Sequence, residues 1–339
     1  MKVVAVLLLL VMMASLPGGC GGAEEVVFRD PDLEQAVRLE IGKLDGPIYA
    51  DDLVRCVSLD ASGRGIADLT GIEHCTSLTL LNLHLNDVSD ISPIRGLTGL
   101  VTLMLSYNDV SDISPLENLS NLEGLNLNNN RIGDVSPLRN LAGLQWLSAG
   151  RNRIVDLSPL QGLTGLGWLV LSGNRIADLA PLSGLTGLAT LLLAGNQIAD
   201  IGPLVANTGL GGGDKLDLSA NPLGPASVDT YVPELRDRGV EVVDDAYYIH
   251  FDDEPAGSPE FAIEAVEIQG LTVAIAGSVT PGSGDASIVD VRWDWGDGIS
   301  ESREFPVSHV YETGGQYTIA LVAHQSDGLH CKASITVIL

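Results

Sequence analysis

The sequence predicts an α/β solenoid of short repeats, followed by an all-β sandwich. Between residues 56 and 243, leucines and asparagines recur every 22 residues, which is typical of stacked strand-and-turn units. From residue 261 to residue 339, several short runs alternate apolar and polar residues, which is typical of strands in two packed sheets. Residues 244–260 lie between the two patterns, and their acidic, Pro- and Gly-containing composition predicts a linker.

The repeat unit reads approximately L-x-x-L-x-L-x-x-N-x-I-x-D-I-x-P-L-x-x-L, and its fixed positions form columns along the chain. The leucine column is Leu78, Leu100, Leu122, Leu144, Leu166 and Leu188. The asparagine column is Asn86, Asn108, Asn130, Asn152, Asn174 and Asn196. The proline column is Pro93, Pro115, Pro137, Pro159, Pro181 and Pro203. A unit this short cannot bury its leucines alone, so the units must stack to form one continuous core.

Each repeated asparagine falls where the chain leaves its strand and turns inward. Backbone N–H and C=O groups lose their strand partners at such a bend. An amide side chain both donates and accepts, so we expect the asparagines to satisfy these groups in neighbouring coils.

Both ends of the repeat region carry sequences that predict polar caps. Residues 27–55 contain "FRDPDLEQAVRLEIGK", whose apolar spacing and Asp30-Pro31 start predict a helix. The first repeat, "VSLDASGRGIADLTGI", has Arg64 in the asparagine position. At the other end Asn221 comes 25 residues after Asn196, and "PASVDTYVPELRDRGVEVV" predicts a closing helix and strand.

With its "DISPL"-type returns and 22-residue units, the region from about residue 27 to residue 243 resembles the bacterial, internalin-like class of leucine-rich repeat proteins. The resemblance implies a curved solenoid with a parallel sheet on its concave face and short 3₁₀ turns on its convex side. It also implies binding or adhesion, usually to a protein, without catalysis.

The C-terminal region contains the strand-like runs "LTVAIAGSV", "IVDVRWDWG", "YTIALVAH" and "KASITVIL". The stretch "WDWGDG", followed by "HVYETGGQYTIALVA", resembles the signature of the polycystic kidney disease (PKD) family. The matching residues are Trp293, Asp294, Gly296, Asp297, Gly298, His309, Tyr311, Gly315, Tyr317 and Thr318. The resemblance implies an Ig-like module that serves extracellular proteins as a spacer or adhesion domain.

The N-terminus, "MKVVAVLLLLVMMASLPGGC", predicts an export signal over residues 1–20. Its apolar run is shorter than the ~20 residues that span a bilayer. The segment resembles a bacterial lipoprotein signal, which implies cleavage before Cys20 and lipidation of that residue, although Pro17 departs from the usual pattern. Membrane association is therefore expected through the lipid anchor only, at the cell envelope or surface, with simple secretion as the alternative.

Composition excludes some partners and some chemistry. The formal net charge is -26, which argues against nucleic acid or an anionic membrane surface as partner. The sequence has no paired metal-ligand motif and no nucleophile elbow, so we expect no enzyme activity, no cofactor and no metal. For Cys56 and Cys75 two states stay open, a disulfide or two small buried thiols.

Acidic residues that could mimic a site are predicted to be scaffold. An aspartate recurs before each return, and we interpret it as a turn cap. This aspartate column is Asp68, Asp90, Asp112, Asp134, Asp156, Asp178 and Asp200. Asp294 and Asp297 are likewise predicted to shape a turn, with His309 and Tyr311 packed at a strand end.

Residues that do not repeat are the candidates for binding. On each strand three positions are expected to point outward on the concave face, and they form three further columns. The first is Leu80, Thr102, Gly124, Trp146, Trp168 and Thr190; the second is Asn82, Met104, Asn126, Ser148, Val170 and Leu192; the third is His84, Ser106, Asn128, Gly150, Ser172 and Ala194. Trp146 and Trp168 are expected to stack side by side, and Tyr107 and Arg151 lie at the edge.

The predicted binding residues are Trp146, Trp168, Tyr107, Met104, Arg151, Val170, Leu192, Asn126 and His84. Their exposed apolar and aromatic types favour a protein ligand, and the aromatic pair would also suit a glycan. A purely structural role in the cell envelope is the alternative.

Overall fold

The computed structural model describes residues 25–244, 247–251, 258–282, 286–326 and 330–339. The predicted export signal and Cys20 lie outside the described residues. Within the described part of the chain, no helix is long and apolar enough to cross a membrane.

A small cap precedes the repeats. It consists of β1 (Glu25–Val26), α1 (Pro31–Ile41), β2 (Ile48–Tyr49) and α2 (Ala50–Leu53), with β1 and β2 antiparallel. One carboxylate oxygen of Asp30 accepts the backbone N–H of Asp32 at 3.0 Å, which starts α1 as predicted. The other oxygen accepts the N–H of Ala67 at 2.9 Å. The same side chain therefore begins the helix and joins the cap to the first repeat.

The repeats form one nine-stranded parallel sheet whose strands follow chain order. The strands are β3 (Ser58–Asp60), β4 (Leu80–Asn82), β5 (Thr102–Met104), β6 (Gly124–Asn126), β7 (Trp146–Ser148), β8 (Trp168–Val170), β9 (Thr190–Leu192), β10 (Lys215–Asp217) and β11 (Glu241–Val243). Helix α3 (Gly202–Ala206) precedes β10, and helix α4 (Val232–Asp237) precedes β11. Helix α4 and strand β11 form the predicted closing cap. The convex returns are mostly single 3₁₀ turns, such as Ser114–Leu116 and Ser136–Leu138, as the resemblance implied.

The central residue of each repeat strand points into the core. Leu103, Leu125 and Leu147 are completely buried, as are Leu122 and Leu144 of the leucine column. The outer two residues of each strand face the opposite side of the sheet. Neighbouring strands pair without a register shift, so that Leu125 lies beside Leu103 and Leu147.

The asparagine column makes the same set of hydrogen bonds in every coil, as predicted. Asn152 is representative: its amide nitrogen donates to the carbonyl of Leu127 in the preceding coil at 2.9 Å and to that of Ala149 in its own coil at 3.1 Å. Its Oδ1 accepts the N–H of Ile132 at 2.9 Å. Each asparagine thus joins two adjacent coils at the point where the strand ladder ends.

The aspartate column caps the returns, which confirms its structural interpretation. Oδ1 of Asp112 accepts the N–H of Ser114 at 2.8 Å, and the same bond recurs in all seven members of the column. Because the acceptor bonds an N–H two residues further on, the geometry is an Asx turn rather than a helix N-cap. The backbone N–H groups of Ser114 and Ser158, followed by their hydroxyls, hold the pKa values of Asp112 and Asp156 below the usual range.

The C-terminal domain consists of two antiparallel sheets. Its strands are β12 (Tyr247–Phe251), β13 (Glu260–Gln269), β14 (Thr272–Thr280), β15 (Ile288–Asp294), β16 (Ser300–Ser302), β17 (Val307–Val310), β18 (Gln316–Gln325) and β19 (His330–Ile338). One sheet has the order β12-β19-β18-β15-β16, and the other has the order β13-β14-β17. Its core includes Trp293, Trp295 and Tyr311.

The prediction of a continuous linker over residues 244–260 was wrong in part. Residues 247–251 form β12, which pairs antiparallel with β19 along five residues. The run "YYIHF" has a high strand propensity, but acidic residues flank it on both sides. The average composition of the segment therefore predicted a linker. The sandwich therefore begins well before residue 261, and Glu260 already belongs to β13.

The acidic turn of this domain is structural, as predicted. Oδ1 of Asp294 accepts the N–H of Gly296 at 3.0 Å, and Oδ1 of Asp297 accepts the N–H of Ile299 at 3.1 Å. His309 stacks on Trp295 with ring centroids 4.8 Å apart, and its Nε2 lies 2.7 Å from Oδ2 of Asp297. These groups fix the turn that follows β15.

Cys56 and Cys75 are free thiols and are buried, and Cys331 is buried as well. The neighbouring Cys56 thiol, followed by burial, raises the pKa of the Cys75 thiol. Of the two states that the sequence left open, the structure contains the buried thiol pair.

The two domains meet at the edge of the repeat sheet. The guanidinium of Arg151 donates to the hydroxyl of Ser334 on β19. A Cβ added to Gly195 would lie 3.7 Å from Cγ2 of Thr336 on the same strand. Ala333 and Ile335 of β19 belong to the sandwich core. Ser334 and Thr336 alternate with them along the strand, and these two residues are buried as well. Both faces of β19 are therefore covered.

The aspartate turns predict a loss of stability in acid. An aspartate of the unfolded chain has a pKa of about 3.9. Because the pKa is lower in the folded chain, the ionised carboxylates stabilise the fold above that pH. This stabilisation is lost as the pH falls through the pKa of the folded state. We expect Asp112→Asn with Asp156→Asn to lower the melting temperature at pH 7 by about 2 °C, since both sites are exposed. The difference from the unaltered chain should vanish near pH 2.

Melting curves between pH 7 and pH 2 measure this effect. Asp45→Asn with Asp237→Asn, two exposed positions outside the column, controls for net charge. A difference that persists at pH 2 would contradict the assignment of the carboxylates as turn acceptors.

Candidate functional site

The outward face of the repeat sheet carries the residues that differ from coil to coil. Because its strands are in register, each outward position lies about 4.8 Å from its equivalent in the next coil. Trp146 pairs with Trp168 across β7 and β8, and Val170 pairs with Leu192 across β8 and β9. The sheet therefore brings these four predicted residues onto one surface, which we call the tryptophan patch.

The repeat spacing predicted that Trp146 and Trp168 stack side by side, but Trp146 does not stack on Trp168. A Cβ built on Gly124 would lie 2.2 Å from Cε2 of Trp146 and 2.3 Å from its Cζ2. The indole thus lies over the glycine of β6, on the side away from β8. The absence of a side chain at position 124 creates the space, and an indole that lies along the sheet leaves its neighbour uncovered.

Trp168 is the most exposed aromatic residue of the patch, with 49% of its surface accessible. Val170 and Leu192 beside it are half-buried. Leu169 and Leu191, between them on the strands, are completely buried on the opposite side of the sheet. The outward apolar side chains are therefore additional to the core rather than part of it.

Polar residues border the patch toward the N-terminal coils. Met104 pairs with Asn126 across β5 and β6, and both are half-buried. Oδ1 of Asn126 accepts the N–H of Asn128 at 3.1 Å. Oδ1 of Asn128 in turn accepts the hydroxyl of Ser148 at 3.0 Å, so this border is hydrogen-bonded before any ligand arrives.

His84 and Tyr107 form a second cluster, separated from the patch by the intervening strands. Their rings are perpendicular with centroids 5.4 Å apart, and Nδ1 of His84 lies 2.7 Å from Oγ of Ser106. Tyr107 has a φ of 56°, in the left-handed region that bulky residues rarely adopt. Glycine occupies the same slot at Gly173 and Gly195. Leu85, Asn129 and Arg151 hold this slot with φ values of 54°, 52° and 53°, so the left-handed bend belongs to the repeat and Tyr107 is its aromatic member.

Arg151 lies apart from the tryptophan patch, at the edge of the sheet. It occupies the same left-handed slot with a φ of 53°, and its guanidinium contacts Ser334 of the sandwich. Arg151 therefore contributes to the contact between the domains.

Two residues of this surface escaped the sequence analysis. Gly124 determines where the Trp146 indole lies, and its signal was a glycine in an outward column next to a tryptophan. Ser172, in the third column, is only 4% exposed, and its hydroxyl has no hydrogen-bond partner among the described residues. No sequence pattern distinguishes this hydroxyl from the other serines of the sheet.

Metal chemistry has no visible site in the described ranges. No group of three or more His, Cys, Asp or Glu side chains in this part of the chain is arranged to hold a metal ion. The carboxylates that repeat along the convex side are bonded to turn amides, as for Asp134 and Asp156.

Comparison with known proteins agrees with the two-part architecture. Residues 98–140 match the family described as Leucine Rich repeats (2 copies), and residues 259–339 match the PKD domain. The crystal structure of an internalin C2 from Listeria monocytogenes is 32% identical with a TM-score of 0.58, and the match covers 64% of this chain and 95% of that one. The chain belongs to the internalin family.

A second internalin structure gives the same result. Internalin InlF of Listeria monocytogenes is 31% identical with a TM-score of 0.60, over 69% of this chain and 67% of that one. A curated relative, collagenase ColQ1 of Bacillus cereus, is 42% identical over 53 residues. Those residues are 16% of this internalin and 5% of the collagenase, so the likeness concerns one short segment. Leucine-rich repeat and PKD domains are typically binding modules without catalysis.

The packing of Trp146 on Gly124 can be tested directly. We expect Gly124→Ala to displace the indole, because the new methyl group would occupy the position of its ring atoms. Stability should change by less than about 1 kcal/mol, since the ring lies on the surface and can rotate away. Quenching of tryptophan fluorescence by acrylamide should increase, because Trp293 and Trp295 are buried and do not respond.

Gly162→Ala is the matched control, because a Cβ there meets nothing within 4 Å. Equal quenching in the two variants would contradict the placement of the indole.

Proposed function

We propose that this internalin is an exported, surface-anchored binding or adhesion protein. In this proposal the outward face of β6 to β9 binds a protein ligand, and the PKD module acts as a spacer or adhesion domain. The observation that carries the proposal is the tryptophan patch, which is apolar and accessible although the sheet has a complete core on its other side. Exposed apolar patches of this kind mark interaction sites.

The composition of the surface favours a protein ligand. Tryptophan is among the residue types that contribute most to protein interfaces, and such residues are effective at the centre of a polar rim. Here Asn126 and Ser148 border the aromatic residues and lie within an ordered hydrogen-bond chain through Asn128. A preorganised rim loses less conformational freedom when a partner binds.

Export and anchoring rest on the N-terminal sequence. The apolar run from Val3 to about Leu16 supports secretion, and the resemblance of residues 1–20 to a lipoprotein signal supports lipidation of Cys20. A lipid anchor would hold the chain at the cell envelope, with the repeats presented to the surroundings.

One observation favours a glycan as the second candidate ligand. Because Trp146 lies along the sheet over Gly124, its ring has one face toward the strand and the other toward the outside. A flat aromatic face of this kind suits stacking on a sugar ring. A structural envelope role, the third reading, requires no ligand on this face.

Replacing both tryptophans tests the function. We expect Trp146→Ala with Trp168→Ala to reduce attachment of beads coated with the chain to cell layers by tenfold or more, because hot-spot truncations cost about 2 kcal/mol or more. Folding should be retained, since neither side chain belongs to the core. Attachment is measured by counting beads, and folding by melting temperature.

Leu39→Ala with Val155→Ala is the matched control, because both residues are exposed and apolar but lie outside the patch. Trypsin treatment of the cells should abolish attachment if the ligand is a protein, whereas loss only after glycosidase treatment would indicate the glycan. Undiminished attachment of the tryptophan variant would refute the binding patch.

A further inference from the structure

Three arginines occupy equivalent positions in consecutive coils. Arg131, Arg153 and Arg175 each follow the asparagine of their repeat, and all three are exposed. We call them the arginine column. The same slot holds Asp87 and Asp109 in the preceding coils. The column stands out because the chain has 44 acidic residues and only 18 Lys and Arg.

Backbone hydrogen bonds keep the column straight. The N–H of Arg131 donates to the carbonyl of Val110 at 2.9 Å, and the N–H of Arg153 donates to that of Ile132 at 2.8 Å. Arg175 donates to Ile154 at 2.9 Å in the same way. Adjacent members are thus separated by one strand spacing, about 4.8 Å. The three side chains leave the solenoid in a single line.

Among the residues that the structure describes, two of the three guanidinium groups have no acidic partner. Arg131 forms an ion pair with Asp109 at 2.5 Å. Within the described ranges, the side chains of Arg153 and Arg175 have no ion pair and no hydrogen bond. Like charges on neighbouring strands repel each other, so the arrangement would be stabilised by an external anion.

The aspartates of the same coils do not supply this counter-charge. Asp134 accepts the N–H of Ser136, Asp156 that of Ser158, and Asp178 that of Ala180, each at 2.8 Å. These carboxylates are held toward the convex turns. Between the two columns lie the uncharged residues Gly133, Val155 and Ala177.

We propose that the arginine column binds a linear anionic polysaccharide that carries sulfate or carboxylate groups on successive rings. Guanidinium groups form paired, charge-assisted hydrogen bonds with such planar or tetrahedral anions. The site lies on the turn side of the asparagines rather than on the outward strand face. It is therefore separate from the tryptophan patch and does not depend on the proposed protein ligand.

The shape of the site favours a linear polymer over a protein. The column is one residue wide, whereas a stable protein interface buries about 800 Å² on each partner. An extended acidic peptide would present its same-face side chains about 6.6 Å apart, out of step with a spacing of about 4.8 Å. A flexible chain with an anion on each ring can adjust to the column.

The net charge of -26 opposes the approach of any polyanion. At 0.15 M salt this long-range repulsion is screened beyond about 8 Å, whereas direct contacts with the arginines are screened much less. Binding should therefore be measured at this ionic strength.

Binding of heparin, a highly sulfated linear polysaccharide, to the chain from Cys20 onward tests the proposal. We expect heparin to bind in 0.15 M NaCl and Arg153→Gln with Arg175→Gln to weaken binding about tenfold or more, since two charge-assisted contacts are lost. Asp109→Asn should strengthen binding, because it releases Arg131 from its ion pair. Titration calorimetry measures the affinity for heparin of the unaltered chain and of the two variants. Melting temperatures establish that the variants are folded.

Arg95→Gln with Arg139→Gln is the charge-matched control, because both residues are exposed on the returns outside the column. Binding of heparin by this control should equal that of the unaltered chain, and so should binding by Trp146→Ala with Trp168→Ala. Absence of heparin binding, equal weakening in the control, or equally tight binding of poly-L-glutamate would each overturn the proposal.

Discussion

Buried asparagine amides at the ends of the strands hold neighbouring coils together, and the geometry of the solenoid depends on them. The amide of Asn152 bonds the carbonyls of Leu127 and Ala149 while its oxygen bonds the N–H of Ile132. These backbone groups would otherwise be buried without partners, at a cost of about 1–3 kcal/mol each. Because the bonds are the same in every coil, the strands stay in register, and residues 22 apart become neighbours. The tryptophan patch and the arginine column both follow from this register.

Much of the fold could be predicted because repetition makes a weak signal strong. Each leucine, asparagine and aspartate column predicts the same role for its residue in every coil: a buried side chain, a bond between coils and a turn acceptor. The structure confirms all three predictions. The helix at Asp30-Pro31 was predictable for a different reason, since capping is local chemistry. Strand β12 escaped because its five residues pair with the distant β19, and no neighbouring copy repeats the pattern. Non-local pairing has little signature in a short stretch of sequence.

The candidate site was predictable in its location but not in its details. The 22-residue spacing placed Trp146 and Trp168 on adjacent strands, and their backbones do pair. Where an indole lies depends on its rotamer and on the space beside it, and Gly124 provided space on the other side. Arg151 was expected at the ligand surface because arginine is favoured at interfaces, but its contact with Ser334 depends on how the second domain packs. A repeat pattern carries no information on that packing.

The most direct test of this account is the free energy of unfolding after one buried asparagine is replaced. Asn152→Ala removes a side chain that is 8% exposed and bonds both its own coil and the preceding one, whereas Asn140→Ala removes an exposed asparagine of a return. Urea unfolding should show a loss of about 2–4 kcal/mol for Asn152→Ala and less than about 0.5 kcal/mol for Asn140→Ala. Equal, small losses in the two variants would contradict the claim that the asparagines hold the coils in register.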